Sequence, residues 1–147
     1  MEVVNIKNND NYLKEYIQLC SIEWGNNKLN DINNKLKKIQ TNDKVISVLA
    51  LIENGIMIGF ISLFKYDGDE YTELTPWCAT NYVKKEYRGC GYSKVLIVAI
   101  IKEAIKLGYN RLYLKTDLLN YYEKFGAKYL KKLNNGEKLY YIDLKKD

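Results

Sequence analysis

Two apolar runs, KVISVLALIE (44–53) and IMIGFISLFKY (56–66), flank the dipeptide Asn54-Gly55. Asn-Gly between β-branched-rich runs predicts a β-hairpin, because both turn positions need positive φ. Both runs are almost continuously apolar, so both faces of these strands should be covered by helices. Gly59 interrupts the second run and marks a bulge or a close backbone approach.

The rest of the pattern builds around that hairpin. Glu2 to Lys7 reads as a short strand. Asp10 is a candidate N-cap for a helix through Trp24, with Leu13, Tyr16, Ile17 and Cys20 at helical spacing. The Asn-rich segment 25–35 reads as a loop entering a second helix that ends near Gln40, its apolar stripe being Leu29, Ile32, Leu36 and Ile39. An acidic loop (67–76) leads into a strand from Trp77 to Lys84. A helix follows from Tyr92 to Leu107, stopped by Gly108. Residues 109–116 alternate as a strand, and 117–126 read as a short helix closed by Gly126. AKYLKKL and EKLYYIDLK form a second hairpin around Asn134-Asn135-Gly136. The order β-α-α-β-β-β-α-β-α-β-β describes a mixed α/β layer protein, with the 92–107 helix as a crossover. No repeat, linker or low-complexity segment divides it, so residues 1–147 read as one domain.

Composition narrows the chemistry. The chain has no histidine and three cysteines. That excludes Ser-His-Asp and Cys-His arrangements, histidine-ligated zinc and a four-cysteine zinc site, and no metal is expected. Acid-base work falls to carboxylates, tyrosines, lysines or cysteines. Cys20, Cys78 and Cys90 form no CxxC pair, which argues against a disulfide framework. Met1-Glu2-Val3-Val4 lacks the marks of a signal peptide, and the longest apolar run, Val95 to Ile101, is too short to span a bilayer. A reducing cytoplasm is the expected setting, without a membrane partner. The net charge of +5 comes from scattered lysines rather than a concentrated basic patch, which disfavours nucleic acid as a partner.

The chemistry-bearing stretch is NYVKKEYRGCGYSKVLIVAII (81–101), where Arg88, Gly89, Gly91 and Ser93 sit between a strand and a helix. Free N–H groups and the dipole at a helix start favour an anion, and glycines let it approach. Arg88 could add a charge-assisted contact. A purely structural turn fits the spacing equally well. The P-loop pattern is absent, and a dinucleotide-binding GxGxxG would need glycine where Lys94 stands.

VKKEYRGCGYSKVL resembles the acyl-CoA signature of the GNAT superfamily of N-acetyltransferases, R/Q-x-x-G-x-G/A. It departs once, with Ser93 in place of the final Gly or Ala. The element order is similar to that family's across nearly the whole chain. LTPWCATNYV resembles a subgroup with Pro-Trp before the fourth strand, and YYEKFGA resembles a late family motif. The resemblance implies the GNAT fold: a mixed sheet of six to seven strands with about four helices, and a bulge splaying strands four and five. It implies acetyl-CoA as co-substrate, with pantetheine along Asn81, Tyr82 and Val83. The pyrophosphate would then sit on Arg88, Gly89, Cys90, Gly91, Tyr92 and Ser93. It implies direct attack of an amine on the thioester, an oxyanion contact from a main-chain N–H near Val83, and Tyr122 as the acid that protonates the leaving sulfur.

Tyr121 is the neighbouring alternative to Tyr122. The family often carries an asparagine where this chain reads Lys115-Thr116-Asp117. Among candidate bases Glu73 stands first, since it lies just before the fourth strand, with Glu70 and Glu23 behind it. Asp67, Asp69, Glu70 and Glu73 crowd one loop, whereas Lys84, Lys85 and Lys94 flank the phosphate side. That division suits a cationic small-molecule or peptide amine as acceptor. A homodimer is one assembly the sequence allows. Two other readings stay open: a non-catalytic acyl-CoA-binding module of the same fold, and a basic nucleic-acid-binding domain that stacks bases on tyrosines.

Overall fold

A computed structural model describes residues 1–25, 31–68 and 70–144. The chain opens with strand β1 (Glu2–Asn5), helix α1 (Asp10–Trp24) and helix α2 (Ile32–Thr41). Strands β2 (Val45–Glu53), β3 (Ile56–Phe64) and β4 (Trp77–Val83) follow, then helix α3 (Tyr92–Lys106) and strand β5 (Arg111–Thr116). The hairpin of β6 (Ala127–Lys132) and β7 (Lys138–Asp143) closes the sheet, whose order is β1-β2-β3-β4-β5-β7-β6.

The β2–β3 hairpin forms as its sequence dictates, with Asn54 and Gly55 at φ 52° and 79°. Its side chains alternate between two helical layers. Val48, Ala50, Ile52, Met57 and Phe60 pack with α1 and α2, through Leu13, Tyr16, Ile17 and Leu36. Leu49, Leu51, Ile58, Ile61 and Leu63 face the other way, onto Leu96, Ile97, Ile100 and Ala104 of α3. Each fully buried aliphatic side chain in these layers contributes roughly 1.5–3 kcal/mol.

Three expectations are corrected in detail. Asn9, not Asp10, caps α1, its side chain accepting from the Tyr12 N–H at 3.2 Å. Residues 117–126 are not an α-helix: only Tyr122–Phe125 wind, as a 3-10 turn. Asn120 at φ 58° breaks the helical path before it. The described residues therefore hold three α-helices rather than about four, plus a second 3-10 turn at Lys85–Tyr87. Two positions used in the sequence reading, Leu29 and Asp69, lie outside the described residues, as does Lys145 at the end of the last hairpin segment.

The sheet opens where the site lies. β4 and β5 are its parallel pair, and they register at Trp77 and Tyr113. Between the Phe60↔Tyr82 and Ser62↔Ala79 pairs, β4 carries one residue more than β3. Thr80 sits in this bulge at φ 49°, and a bulge turns its strand away from a neighbour. A buried polar chain holds the bulge from behind: the Tyr16 hydroxyl bonds Ser62 at 2.8 Å and Thr80 at 3.3 Å, and Ser62 bonds Thr80. Gly59 on β3 has no room for a side chain beside β4. A Cβ there would lie 2.5 Å from the Tyr82 carbonyl oxygen.

Candidate active site

Two cavities open beside β4. The first, about 890 Å³, is lined by Asn81, Tyr82, Val83, Arg88, Gly89, Gly91, Tyr92 and Ser93, with Glu23, Lys94 and Tyr121 at its sides. All the residues expected to hold the cofactor line it except Cys90, which is exposed, its Sγ 3.9 Å from the Arg88 carbonyl oxygen. The second, about 620 Å³, is lined by Cys20, Asp67, Cys78, Thr80, Lys115, Asp117, Tyr122 and Glu137 among others. Trp24, Asn81 and Leu118 belong to both walls and form the threshold between them.

The first cavity has the chemistry of an anion seat. Gly91 caps α3 at φ 81° with no side-chain cap, so the N–H groups of the first turn are not taken up by a capping side chain. Gly89 lies at φ 80°, and a Cβ at either glycine would meet nothing within 4 Å. Arg88 also braces the site: its Nε donates to the Val83 carbonyl at 2.8 Å and its guanidinium lies 5.5 Å from the Tyr82 ring centre. Lys84, expected beside the phosphate, instead pairs with Glu15 of α1 at 2.6 Å. Lys94 does reach the cavity wall.

Asn81 is the hub of the threshold. Its Nδ2 donates to the Ser93 hydroxyl at 3.1 Å, and Ser93 in turn bonds the Tyr121 hydroxyl at 2.8 Å. Ser93 therefore does structural work that glycine or alanine could not do. The Asn81 Oδ1 is buried and has no hydrogen-bond partner. An unpaired buried acceptor is costly, and it fits a ligand that brings an N–H.

Tyr121 and Tyr122, adjacent in sequence, part company in space. Their rings meet edge-on at 4.9 Å, Tyr121 facing the first cavity and Tyr122 the second. Burial pushes the Tyr122 phenol up to about 12, a hydrogen bond from Asn81 pulls it back, and nearby Cys78 and Tyr121 add to the rise. Burial likewise pushes the Cys78 and Cys20 thiols up to about 12, which leaves both inert as nucleophiles.

Glu73 is exposed and lines neither cavity; it lies within electrostatic reach of Lys131 on β6. Glu70 is also exposed and outside both walls, whereas Glu23 reaches the first cavity. The carboxylates facing the second cavity are Asp67, Asp117 and Glu137. Asp67 belongs to the acidic loop noted in the sequence. Glu137 comes from the β6–β7 turn, 70 positions further along the chain, and only the folded sheet places it here.

The chain matches the Acetyltransferase (GNAT) family over residues 11–127, and it belongs to that family. Among solved structures it is similar to an aminoglycoside 6'-N-acetyltransferase complexed with coenzyme A. The identity is 16%, all of this chain and 99% of that one are covered, and the TM-score is 0.76. It also resembles an N-acetyltransferase from Staphylococcus aureus Mu50, at 21% identity, 98% of each chain and a TM-score of 0.73. A third likeness is to the paia N-acetyltransferase of Thermoplasma acidophilum in complex with coenzyme A. There the identity is 18%, the coverage 97% of this chain and 98% of that one, and the TM-score 0.65. No curated protein matches the sequence at a significant level. Among the described residues no helix is long and apolar enough to cross a membrane.

Proposed function

We propose that this chain is an acetyl-CoA-dependent N-acetyltransferase that acetylates a cationic primary amine. The observation that carries this reading is the buried, unpaired Asn81 Oδ1 at the threshold between an uncapped glycine-flanked helix start and Tyr122. Acetyl-CoA, when bound, supplies a thioester whose carbonyl carbon an amine can attack. The N–H groups at the start of α3, with Lys94 and Arg88, would hold its pyrophosphate, and Asn81 would accept from its pantetheine arm.

β4 holds a further donor. In a strand the N–H and C=O of one residue point to the same side. Lys84 N–H bonds Ile58 on β3, so the preceding residue, Val83, turns its polar groups toward the open cleft. Arg88 takes the Val83 carbonyl, which leaves the Val83 N–H as a candidate oxyanion donor. Tyr122 serves as the acid for sulfur. A phenol held near 12 remains protonated at neutral pH and outranks a thiol in basicity once ionised. Tyr121, engaged by Ser93, positions the first turn of α3 instead.

The amine would enter through the second cavity, whose carboxylates suit an ammonium. An acetyl-transfer screen across amine classes, following release of CoA thiol, tests the reading. Turnover with a cationic primary amine is expected. Acetyl-CoA binding without transfer to any amine would reduce the chain to an acyl-CoA-binding module.

A further inference from the structure

A protonated amine cannot attack, so the reading above needs a group that takes a proton from the acceptor. Three carboxylates face the second cavity, Asp67, Asp117 and Glu137, against one ammonium, Lys115. Lys115 is committed elsewhere: its Nζ donates to the Asp67 main-chain carbonyl at 2.6 Å and lies 5.4 Å from the Trp77 ring centre. That contact pins the loop over the cavity, and Lys115 forms no ion pair with the Asp67 side chain. None of the ion pairs among the described residues involves Asp67.

Asp67 and Tyr122 converge on one neighbour. Asp67 raises the pKa of the buried Cys78 thiol electrostatically, and Cys78 does the same to Tyr122. A half-buried carboxylate, a protonated phenol and a small inert thiol line the same cavity. Burial and then Glu137 lift the Asp67 carboxyl above the usual carboxylate range, against the pull of Lys115. A weaker acid in its protonated form is a better proton acceptor when charged. Glu137 is partly held, its Oε1 accepting from the Asn135 side chain at 2.8 Å.

Resting on the acetyltransferase reading, we infer that Asp67 is the catalytic base and that Glu137 holds a second cationic group of the acceptor. The substrate is then an amine carrying another ammonium several bonds away. The step balances without any further reactant. The acceptor ammonium gives one proton to Asp67, and its nitrogen forms the bond to the acetyl carbon as the carbon–sulfur bond breaks. Sulfur takes a proton from Tyr122, and the nitrogen's second proton restores the phenol. Asp67 releases its proton to water. Acetylation removes one positive charge, which weakens the hold of the carboxylates and favours product release.

The test compares wild type, Asp67→Asn and Glu137→Gln with acetyl-CoA and three acceptors: 1,5-diaminopentane, 1-aminopentane and 5-aminopentanoate. Wild type should prefer the diamine. Asp67→Asn should lower kcat for it by about 10²-fold or more, with CoA affinity by calorimetry unchanged as proof of folding. That defect should shrink as pH rises toward the amine's own pKa, because the acceptor then arrives deprotonated. Glu137→Gln should raise KM for the diamine and erase its advantage over 1-aminopentane. Retention of most activity by Asp67→Asn, or a pH-independent defect, would overturn the base assignment while leaving the acetyltransferase reading intact. Wild-type preference for 1-aminopentane or 5-aminopentanoate would overturn the acceptor class. No transfer to any amine would overturn the function itself.

Discussion

The side-chain amide of Asn81 donates to the Ser93 hydroxyl at 3.1 Å, tying the bulged middle of β4 to the first turn of α3. One bond thus couples the two halves of the proposed cofactor cleft, the strand proposed for the pantetheine arm and the helix start proposed for the pyrophosphate. Asn81→Ala should remove this tie together with the waiting acceptor Oδ1. A lost hydrogen bond of this kind is worth about 0.5–1.5 kcal/mol. Calorimetry should show CoA binding weakened up to about tenfold, and unchanged affinity would remove Asn81 from the cofactor site.

Gly91→Asp should abolish CoA binding. The substitution puts a carboxylate into the anion seat and a side chain onto a backbone at φ 81°. Lys94→Glu, which leaves the turn unstrained, reverses one wall charge and should weaken CoA binding too. Full affinity in both folded variants would move the pyrophosphate elsewhere.

Tyr122→Phe should cut kcat by about 10²- to 10⁴-fold and leave acetyl-CoA affinity nearly unchanged. Tyr121→Phe should act mainly on CoA affinity, through Ser93. The phenol is held at about 12 against an ordinary 10.0, so its ionisation should not depress turnover until pH approaches 12. Between those values the native state holds a proton that the unfolded chain has lost. The Tyr122 contribution to stability should therefore fall as pH rises through that window, as alkaline unfolding curves of wild type and Tyr122→Phe would show.

Gly59→Ala should destabilise the protein by about 1–3 kcal/mol, because the new Cβ would lie 2.5 Å from the Tyr82 carbonyl oxygen. Relief requires β3 and β4 to separate, which displaces Tyr82 from the first cavity. Thermal melting and CoA titration of the variant should therefore both shift; a native Tm would show that the strands adjust freely.

Local signals carried the fold and half of the candidate site. Asn54-Gly55 set the hairpin, the apolar periodicities of α1 and α3 set the layers, and all of Arg88 to Ser93 but Cys90 line the first cavity. These depend on neighbours in sequence, so a sequence can show them. Which carboxylates line the second cavity is not local, because it is decided by which loop the sheet carries over the cleft. Glu73 is nearest β4 along the chain, yet exposed and outside both cavities, while Asp67 is held at the wall by Lys115. Glu137 reaches that wall only through the β5–β7 pairing. The Asn120 conformation likewise cut the late helix to a 3-10 turn, which separates Tyr121 from Tyr122 between the cavities.

The most direct test incubates the purified protein with acetyl-CoA and 1,5-diaminopentane, and follows CoA thiol release alongside the mass of the amine. Stoichiometric thiol release is expected, with a single acetyl group gained by the amine, lost in Tyr122→Phe and Asp67→Asn but not in Glu73→Gln. Acetyl-CoA that binds yet stays intact with every amine offered, or acetyl groups that appear on the protein alone, would contradict the proposed function.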